Sequence, residues 1–186
     1  MKKKIKLGVA IIRSIIMLPQ ILGYFINKHV KEDLAIWSKI YAPFNNTFLA
    51  YINLLTWEKQ YRNVLYHRLK YKSLLTPPLD SLFINTPTIG KGLLIQHGFS
   101  TIVTAKSIGE NCIICQQVTI GYTSDGKCPI IGNNVKICAG AIVVGGIRIG
   151  DNSVIGAGAI VVDDVPENSV VCSPKARVVK EIKLNQ

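Results

Sequence analysis

Acidic residues and histidines are scarce in this chain, and each shortage limits the classes of partner and of function that the protein can have. The 186 residues include 11 acidic and 22 basic side chains, which gives a formal net charge of +11. Such a surplus favours anionic partners: nucleic acid, a phosphorylated carrier or cofactor, or an anionic membrane surface. The charged share of 18% and the hydrophobic share of 48% exclude an intrinsically disordered protein. The length suits one large domain or two small ones.

The N-terminal apolar stretch lacks the features of a cleaved signal or a membrane span. Basic residues lead into L-G-V-A-I-I-R-S-I-I-M-L-P-Q-I-L-G-Y-F-I, but Arg13 and Pro19 interrupt it. No small-residue cleavage site follows a short apolar core. We therefore expect helices packed on the protein, and a peripheral contact of the N-terminus with the inner membrane stays open.

The five cysteines do not form a metal-binding pattern. An odd number without signs of export favours reduced thiols and a cytoplasmic location. Cys112 and Cys115 have the spacing of a metal or redox pair, but no second pair or nearby histidine completes a zinc set. We expect no metal site.

The chain divides into two parts with different patterns, residues 1–78 and 79–180. In the first part, residues 57–70 place apolar and aromatic side chains three and four positions apart, which predicts one amphipathic helix. The segment T-P-P-L-D at 76–80 breaks this pattern and marks the boundary.

The second part repeats every six residues. The aliphatic positions are 108, 114, 120, 131, 137, 143, 149, 155 and 161, and positions 89, 95 and 102 nearly keep the phase. This period predicts a parallel β-helix, with the aliphatic residue pointing inward, a small or branched residue inward at the fifth place, and Gly or Asn at the corners. Cys112 falls at a fifth place, and Cys115 and Cys138 fall where Gly is usual, so we interpret them as structural.

The repeat is interrupted between Ile120 and Ile131, where five residues are inserted. The segment G-Y-T-S-D-G-K-C-P-I, near 121–130, is therefore predicted to be a loop that leaves the β-helix. Irregular loops on rigid scaffolds often carry function.

These features together resemble the hexapeptide-repeat acyltransferases. L-I-Q-H-G-F-S-T-I-V and Q-Q-V-T-I-G are similar to the serine acetyltransferase branch, while C-P-I-I-G-N-N-V-K and K-A-R-V-V-K resemble relatives from exopolysaccharide gene clusters, such as the colanic acid acetyltransferase. The resemblance covers about residues 81–180. It implies an α+β protein, with an N-terminal helical region before a left-handed parallel β-helix. It also implies a homotrimer with acetyl-CoA bound along the β-helix between subunits.

The resemblance assigns the catalytic role to His97, which matches the family histidine of the x-H-G motif. An imidazole suits the removal of a proton from an acceptor hydroxyl. The matching acceptor-binding positions hold Gln96 in place of Asp, and Lys127 and Cys128 in place of Arg and His. The family acid that orients the histidine is replaced by Leu82. A backbone carbonyl, or Asp80 two residues away, is the alternative.

The resemblance also implies a cofactor-binding set. Tyr122 in the loop, and Ala139 and Ala157 at two corners, are expected to contact acetyl-CoA, and Lys175 and Arg177 to meet its phosphates. The corner requirement of the repeat explains the two alanines equally well, and a solvated basic tail that includes Lys180 is the other interpretation of the cations. Cys128 as a covalent acyl carrier is disfavoured against a packing role.

From these departures we predict an acetyl-CoA-dependent O-acetyltransferase that acts on a sugar hydroxyl in surface polysaccharide biosynthesis. The alternative is a serine O-acetyltransferase of cysteine biosynthesis. A γ-class carbonic anhydrase needs three histidines, and two of the three here lie outside the repeats. A non-catalytic scaffold does not explain Q-H-G and the loop together, and no nucleic-acid-binding module is recognisable.

Overall fold

A computed structural model of the chain describes residues 18–42, 44, 46–70, 77–177 and 179–180. The predicted contact of the basic N-terminal residues with a membrane falls largely on residues 1–17, which lie outside the described ones.

Four helices form the first part of the described chain. They are α1 (Leu18–Ile26), α2 (Lys28–Tyr41), α3 (Thr47–Trp57) and α4 (Lys59–Leu69). Asparagine side chains begin two of them: Asn27 accepts from the backbone N–H of His29 at 3.0 Å, and Asn46 accepts from that of Leu49 at 3.0 Å. Such caps satisfy backbone donors that have no partner inside the helix.

The single helix predicted over residues 57–70 is wrong at one residue. Glu58 has extended backbone angles, φ −100° and ψ 93°, and separates α3 from α4. Its N–H donates to the carbonyl of Leu54 at 2.9 Å and closes α3, while its own carbonyl accepts from Tyr61 at 3.1 Å and begins α4. The apolar spacing continues across Glu58, so periodicity alone did not reveal the break.

The second part winds through three sheets. The strands are β1 (Leu82–Ile84), β2 (Thr88–Ile89), β3 (Leu94–Ile95), β4 (Thr101–Val103), β5 (Ser107–Ile108), β6 (Ile113–Ile114), β7 (Thr119–Gly121), β8 (Ile130–Ile131), β9 (Lys136–Ile137), β10 (Ile142–Val144), β11 (Arg148–Ile149), β12 (Val154–Ile155), β13 (Ile160–Val161) and β14 (Val170–Val171). Sheet A has the order β1-β4-β7-β10-β13, sheet B β11-β8-β5-β2, and sheet C β14-β12-β9-β6-β3. The neighbouring strands within each of these three sheets are parallel.

This is the predicted left-handed parallel β-helix, and the chain visits sheets A, B and C in turn. The right-handed rule for parallel crossovers depends on a helix packing back onto the sheet. Here the connection between neighbouring strands consists of two further short strands, so that cause is absent. We call the three bends of each coil the A→B, B→C and C→A corners, after the sheets that they join.

The interior follows the predicted period, with one correction. Every aliphatic residue of the main series is buried, from Ile108 at 2% exposure to Val161 at 4%. Upstream, Ile102 was assigned to the interior, but it is 45% exposed, and Val103 is buried and pairs with Ile120. The extra residues of the turn after Ile95 shift the phase, so the inward position falls one residue later.

The B→C corner is closed by a ladder of asparagine side chains. Asn134 donates to Asn152 at 2.9 Å, and Asn152 donates to Asn168 at 2.9 Å. Asn111 extends the ladder by donating to Asn134 at 3.4 Å. All four residues have φ between 55° and 59°, a left-handed conformation that Asn tolerates better than most residues. The predicted role of Asn at corners is therefore confirmed here.

The helices are fastened to the first coil by a buried ion pair. Arg68 Nε lies 2.9 Å from Asp33 Oδ2, and Asp33 Oδ1 accepts from the backbone N–H of Gly92 at 2.7 Å. Burial raises the pKa of Asp33, and Arg68 acts in the opposite direction. Trp37 Nε1 adds a bond to the carbonyl of Leu93 at 2.8 Å. Helices and β-helix also share one hydrophobic core, and the division predicted at residue 78, between α4 and β1, stays a prediction.

Candidate functional site

His97 lies on a tight turn at the C→A corner, between β3 and β4. His97 has φ 64° and Gly98 has φ 72°, so two successive residues adopt the left-handed conformation. The N–H of Gly98 donates to the carbonyl of Gln96 at 2.8 Å across His97. A non-glycine residue in this conformation is uncommon and is often found at functional sites. The turn points the histidine outward from the first coil.

The imidazole is available for chemistry. The side chain of His97 is exposed, and its ring makes no hydrogen bond to any residue that the structure describes. Neither of the two alternatives for orienting it, a backbone carbonyl or Asp80, does so within the described chain. Asp80 instead borders a cavity of about 620 Å³ beside α4, with Asn63, His67 and Lys70, and His97 is not part of that lining.

The C-terminal end of α2 and the N-terminal end of α4 lie beside this turn, and we call their side chains Tyr41, Glu58 and Gln60 the wall. The hydroxyl of Tyr41, at the end of α2, lies near the backbone of His97. Burial raises the pKa of Tyr41, the nearby backbone of His97 acts against this, and the charge of Glu58 raises it further. Gln60 packs on the turn, since a Cβ built on Gly98 would lie 3.2 Å from Gln60 Cβ.

Glu58 belongs to the same wall. Its Oε2 accepts a hydrogen bond from Gln60 Nε2 at 2.8 Å, and Gln60 is only 8% exposed. The carboxylate does not cap its own helix, although Glu58 occupies the capping position of α4. Our sequence reasoning missed Tyr41, Glu58 and Gln60, because no periodic pattern links the helical part to the turn. The extended backbone at Glu58, which interrupts the helix, is the structural feature that points to these three residues.

The predicted cofactor residues Ala139 and Ala157 lie at the same corner as His97. Backbone bonds connect successive coils there: Gly140 N–H donates to Gln116 at 3.1 Å, and Gly158 N–H donates to Ala139 at 3.0 Å. Coils repeat at about 4.8 Å, so the two alanines follow His97 along the axis at roughly 10 and 14 Å.

This column of small residues leaves backbone accessible. Gly140 and Gly158, which follow the two alanines, have φ 70° and 66°, and no heavy atom lies within 4 Å of a Cβ built on Gly158. Lys175 and Arg177 follow β14 in the continuation of the C→A corner and are exposed. The corner therefore presents an open strip that begins at His97 and ends near two cations.

The predicted loop leaves from a different corner. Residues 122–129 connect β7 to β8 and so belong to the A→B corner, at the opposite edge of sheet A from His97. Tyr122 is 65% exposed. Lys127 forms an ion pair with Asp125 at 3.0 Å, and Cys128 is half-buried. Within one chain, the structure thus separates Tyr122, Lys127 and Cys128 from His97 and Gln96.

The cysteines take the structural places that the repeat predicted. Cys112 is buried, its thiol donates to the carbonyl of Gly132 at 3.1 Å, and burial raises its pKa to about 11. Cys115 is 8% exposed and its thiol lies 3.7 Å from Gln96 Oε1. All five thiols are free.

In the described part of the chain, no three His, Cys, Asp or Glu side chains cluster as metal ligands would. None of the helices described there is both long and apolar enough to cross a bilayer.

Residues 128–163 match the family model described as bacterial transferase hexapeptide (six repeats). In sequence and in their β-helix, the repeats of this chain are thus similar to those of the bacterial hexapeptide transferases.

Particular relatives are serine acetyltransferases. The chain is 41% identical to that of Synechococcus elongatus over 95 residues, which are 49% of this chain and 39% of the relative. It is 43% identical to that of Staphylococcus aureus strain Mu50 over 97 residues, 50% of this chain and 46% of the relative. The chain thus spans less than half of the length of these curated relatives.

A solved structure agrees with the sequence relatives. The crystal structure of Neisseria gonorrhoeae serine acetyltransferase in complex with serine superposes with a TM-score of 0.63 at 28% identity, over 86% of this chain and 72% of that one.

The prediction of a sugar acceptor is contradicted by these relatives, which favour the serine alternative. They also give no support to the polysaccharide-cluster branch of the family. The error came from treating Gln96, Lys127 and Cys128 as evidence of a lost amino acid site. That inference considered the β-helix alone and ignored the polar wall that the helices add beside His97.

Proposed function

We propose that the protein is an acetyl-CoA-dependent serine O-acetyltransferase in which His97 is the general base. The observation that carries this proposal is the exposed imidazole at the head of the open C→A strip. The similarity to curated serine acetyltransferases supports the acceptor. A strip of small residues suits the close approach of an extended thioester substrate to the backbone.

The reaction needs one proton to be moved twice. His97 takes the proton of the serine hydroxyl as the oxygen attacks the thioester carbonyl carbon. The new C–O bond gives a tetrahedral intermediate, the C–S bond then breaks, and the CoA thiolate receives the proton from His97. The strained turn presents the ring outward, and the bond from the N–H of Gly98 to the carbonyl of Gln96 closes the turn.

Acetyl-CoA is proposed to lie along the C→A strip. Its thioester would be at His97, its pantetheine arm against Ala139 and Ala157, and its phosphates near Lys175 and Arg177. The alternation of small side chains and bare backbone at this corner supports that direction, since the opposite end of the strip carries the cations.

We further propose that the protein acts as a homotrimer. The outer face of sheet A carries a registered apolar column of Phe83, Ile102, Ile142 and Ile160 with Thr119. Phe83 is 62% and Ile160 is 68% exposed, which favours burial against another copy. His97 and the 122–129 loop flank opposite edges of this face. A cyclic arrangement about sheet A would therefore bring the loop of one copy, with Tyr122, Lys127 and Cys128, beside His97 of the next.

The location of the protein in the cell is also a proposal. We propose a cytoplasmic protein whose helix α1 contacts the inner membrane. Leu22, Phe25 and Ile26 are 56%, 62% and 81% exposed, and Lys28 lies two residues after Ile26. An apolar face bordered by cations is suited to an anionic bilayer surface. Co-sedimentation with anionic vesicles, compared with the Phe25→Glu variant, tests this contact.

The function is tested by thiol release from acetyl-CoA with purified protein and a panel of acceptors. We expect release with L-serine and none above background with nucleotide-linked sugars. Release that requires a sugar, with none for serine, would overturn the proposal. The oligomer is tested by light scattering, where Ile160→Glu is expected to convert trimer to monomer and to lower activity, whereas Arg148→Glu on the outer face of sheet B serves as the matched control.

A further inference from the structure

We propose that Glu58 is the carboxylate that binds the ammonium group of the amino acid acceptor, so that the helical part of the chain selects the acceptor. This inference rests on the proposed serine acetyltransferase function. It assigns specificity to a residue outside the hexapeptide repeats.

Glu58 is held close to the turn that carries His97. Gln60, in the first turn of α4, packs against the catalytic turn, since a Cβ built on Gly98 would lie 3.2 Å from Gln60 Cβ. The Tyr41 hydroxyl, at the end of α2, lies near the backbone of His97 on the same side. Gln60 Nε2 in turn holds Glu58 Oε2 at 2.8 Å. The carboxylate is therefore held one side chain away from the turn that presents the base.

The carboxylate of Glu58 has unused bonding capacity. An ionised carboxylate accepts about four hydrogen bonds. Among the residues that the structure describes, only Gln60 donates to the side-chain carboxylate of Glu58, and no cation forms an ion pair with it. A helix-capping residue normally uses its side chain on the backbone of its own helix, and Glu58 does not. Departures from local rules of this kind are expected at functional sites.

The described residues include no other suitable acid. Leu82 and Gln96, the two positions nearest to His97 where the family pattern has acids, are uncharged here. Each remaining acid in the described ranges belongs to an ion pair, to the A→B or B→C corner, or to the cavity beside α4. In a chain with a formal charge of +11, an ammonium-bearing acceptor needs a local anion to bind beside His97. Glu58 is the acid whose contacts lead to that place.

The chemistry fits an amino acid with a free hydroxyl. A charge-assisted bond from the ammonium group to the carboxylate fixes one end of the acceptor, which leaves its hydroxyl to reach His97. Gln60 fixes the orientation of Glu58, since Gln60 is only 8% exposed and its Nε2 donates to Glu58 Oε2. Gln96, beside the base, is neutral and adds no charge of its own.

The experiment compares acceptors with and without an ammonium group in full-length wild-type protein and Glu58→Gln. Kinetics are measured for L-serine, and 3-hydroxypropanoate is tested as a substrate or as a competitive inhibitor against serine. We expect Glu58→Gln to raise KM for serine roughly ten- to a hundredfold, as loss of a hydrogen bond to a charged group predicts. KM for acetyl-CoA and the constant for 3-hydroxypropanoate are expected to stay unchanged.

The controls separate this inference from the function on which it rests. Glu110→Gln, which removes an exposed partner of Lys91, is the matched loss of one carboxylate and is expected to leave all constants unchanged. An unchanged KM for serine in Glu58→Gln, or an equal loss for both acceptors, would overturn the role of Glu58 while leaving the function intact. A wild-type protein that does not acetylate serine would overturn the proposed function itself.

Discussion

The B→C and C→A corners of the β-helix both contain residues with positive φ, but the two corners use different side chains there. At the B→C corner, asparagine side chains bond to one another from coil to coil and close the surface. At the C→A corner, the equivalent bends use His97, Gln117 and two glycines that follow alanines, and the backbone around these glycines stays open. The closed corner uses its polar side chains within the fold, whereas the open corner leaves backbone groups accessible. This difference is why we propose that the C→A corner is the functional edge of the β-helix.

The largest expected effect comes from removing the base at the open corner. Asn tolerates the left-handed conformation, so His97→Asn should keep the turn and lose only the imidazole. We expect kcat to fall by about 10²–10⁴, the range typical of general base catalysis. Thermal unfolding of the variant is expected to match that of the wild type. Near-normal turnover in a folded variant would remove His97 from the mechanism.

Disrupting the closed B→C corner should lower the stability of the protein and leave its activity unchanged. Asn134→Ala loses bonds to both neighbours in the ladder and places Ala in a left-handed conformation. We expect a loss of about 2 kcal/mol in the free energy of unfolding, measured by urea denaturation, with kcat unchanged. Asn134→Gly, which removes the bonds without the backbone strain, should lose about half as much. A large loss of activity without loss of stability would contradict the division between the corners.

Filling the open strip should weaken acetyl-CoA binding alone. Ala157→Leu adds bulk to an exposed position of the strip. We expect KM for acetyl-CoA to rise about tenfold, or about 1.4 kcal/mol, with KM for serine unchanged. Glu167→Leu adds a similar side chain at the exposed B→C corner and should change neither constant. Equal effects of the two variants would show that acetyl-CoA does not use the strip.

The smallest effect is a difference in thiol reactivity between the corners. Burial raises the pKa of Cys112, at the closed corner, to about 11, so this thiol stays protonated and unreactive at pH 8. Cys172, at the open corner, is exposed. Peptide mapping after iodoacetamide treatment of the native protein should find Cys172 labelled and Cys112 labelled only after unfolding. Comparable labelling rates for both thiols would mean that the B→C corner opens readily in solution.

Much of the β-helix could be predicted because its period is a local property of the chain. The inward aliphatic positions, the Asn corners and the 122–129 loop all follow from spacing. The misplaced Ile102 shows where this fails: the turn that carries His97 departs from the period, and the phase was lost there. The acceptor was mispredicted for a related reason. Glu58 and Tyr41 approach His97 through tertiary packing, which no repeat records.

The most direct test of the account is identification of the product formed from acetyl-CoA and L-serine. Mass spectrometry should detect O-acetylserine with the wild-type protein, in an amount equal to the CoA released, and none above background with His97→Asn. Serine left unmodified while CoA is released, or equal product from both proteins, would contradict the claim that the protein acetylates serine at the open corner with His97 as the base.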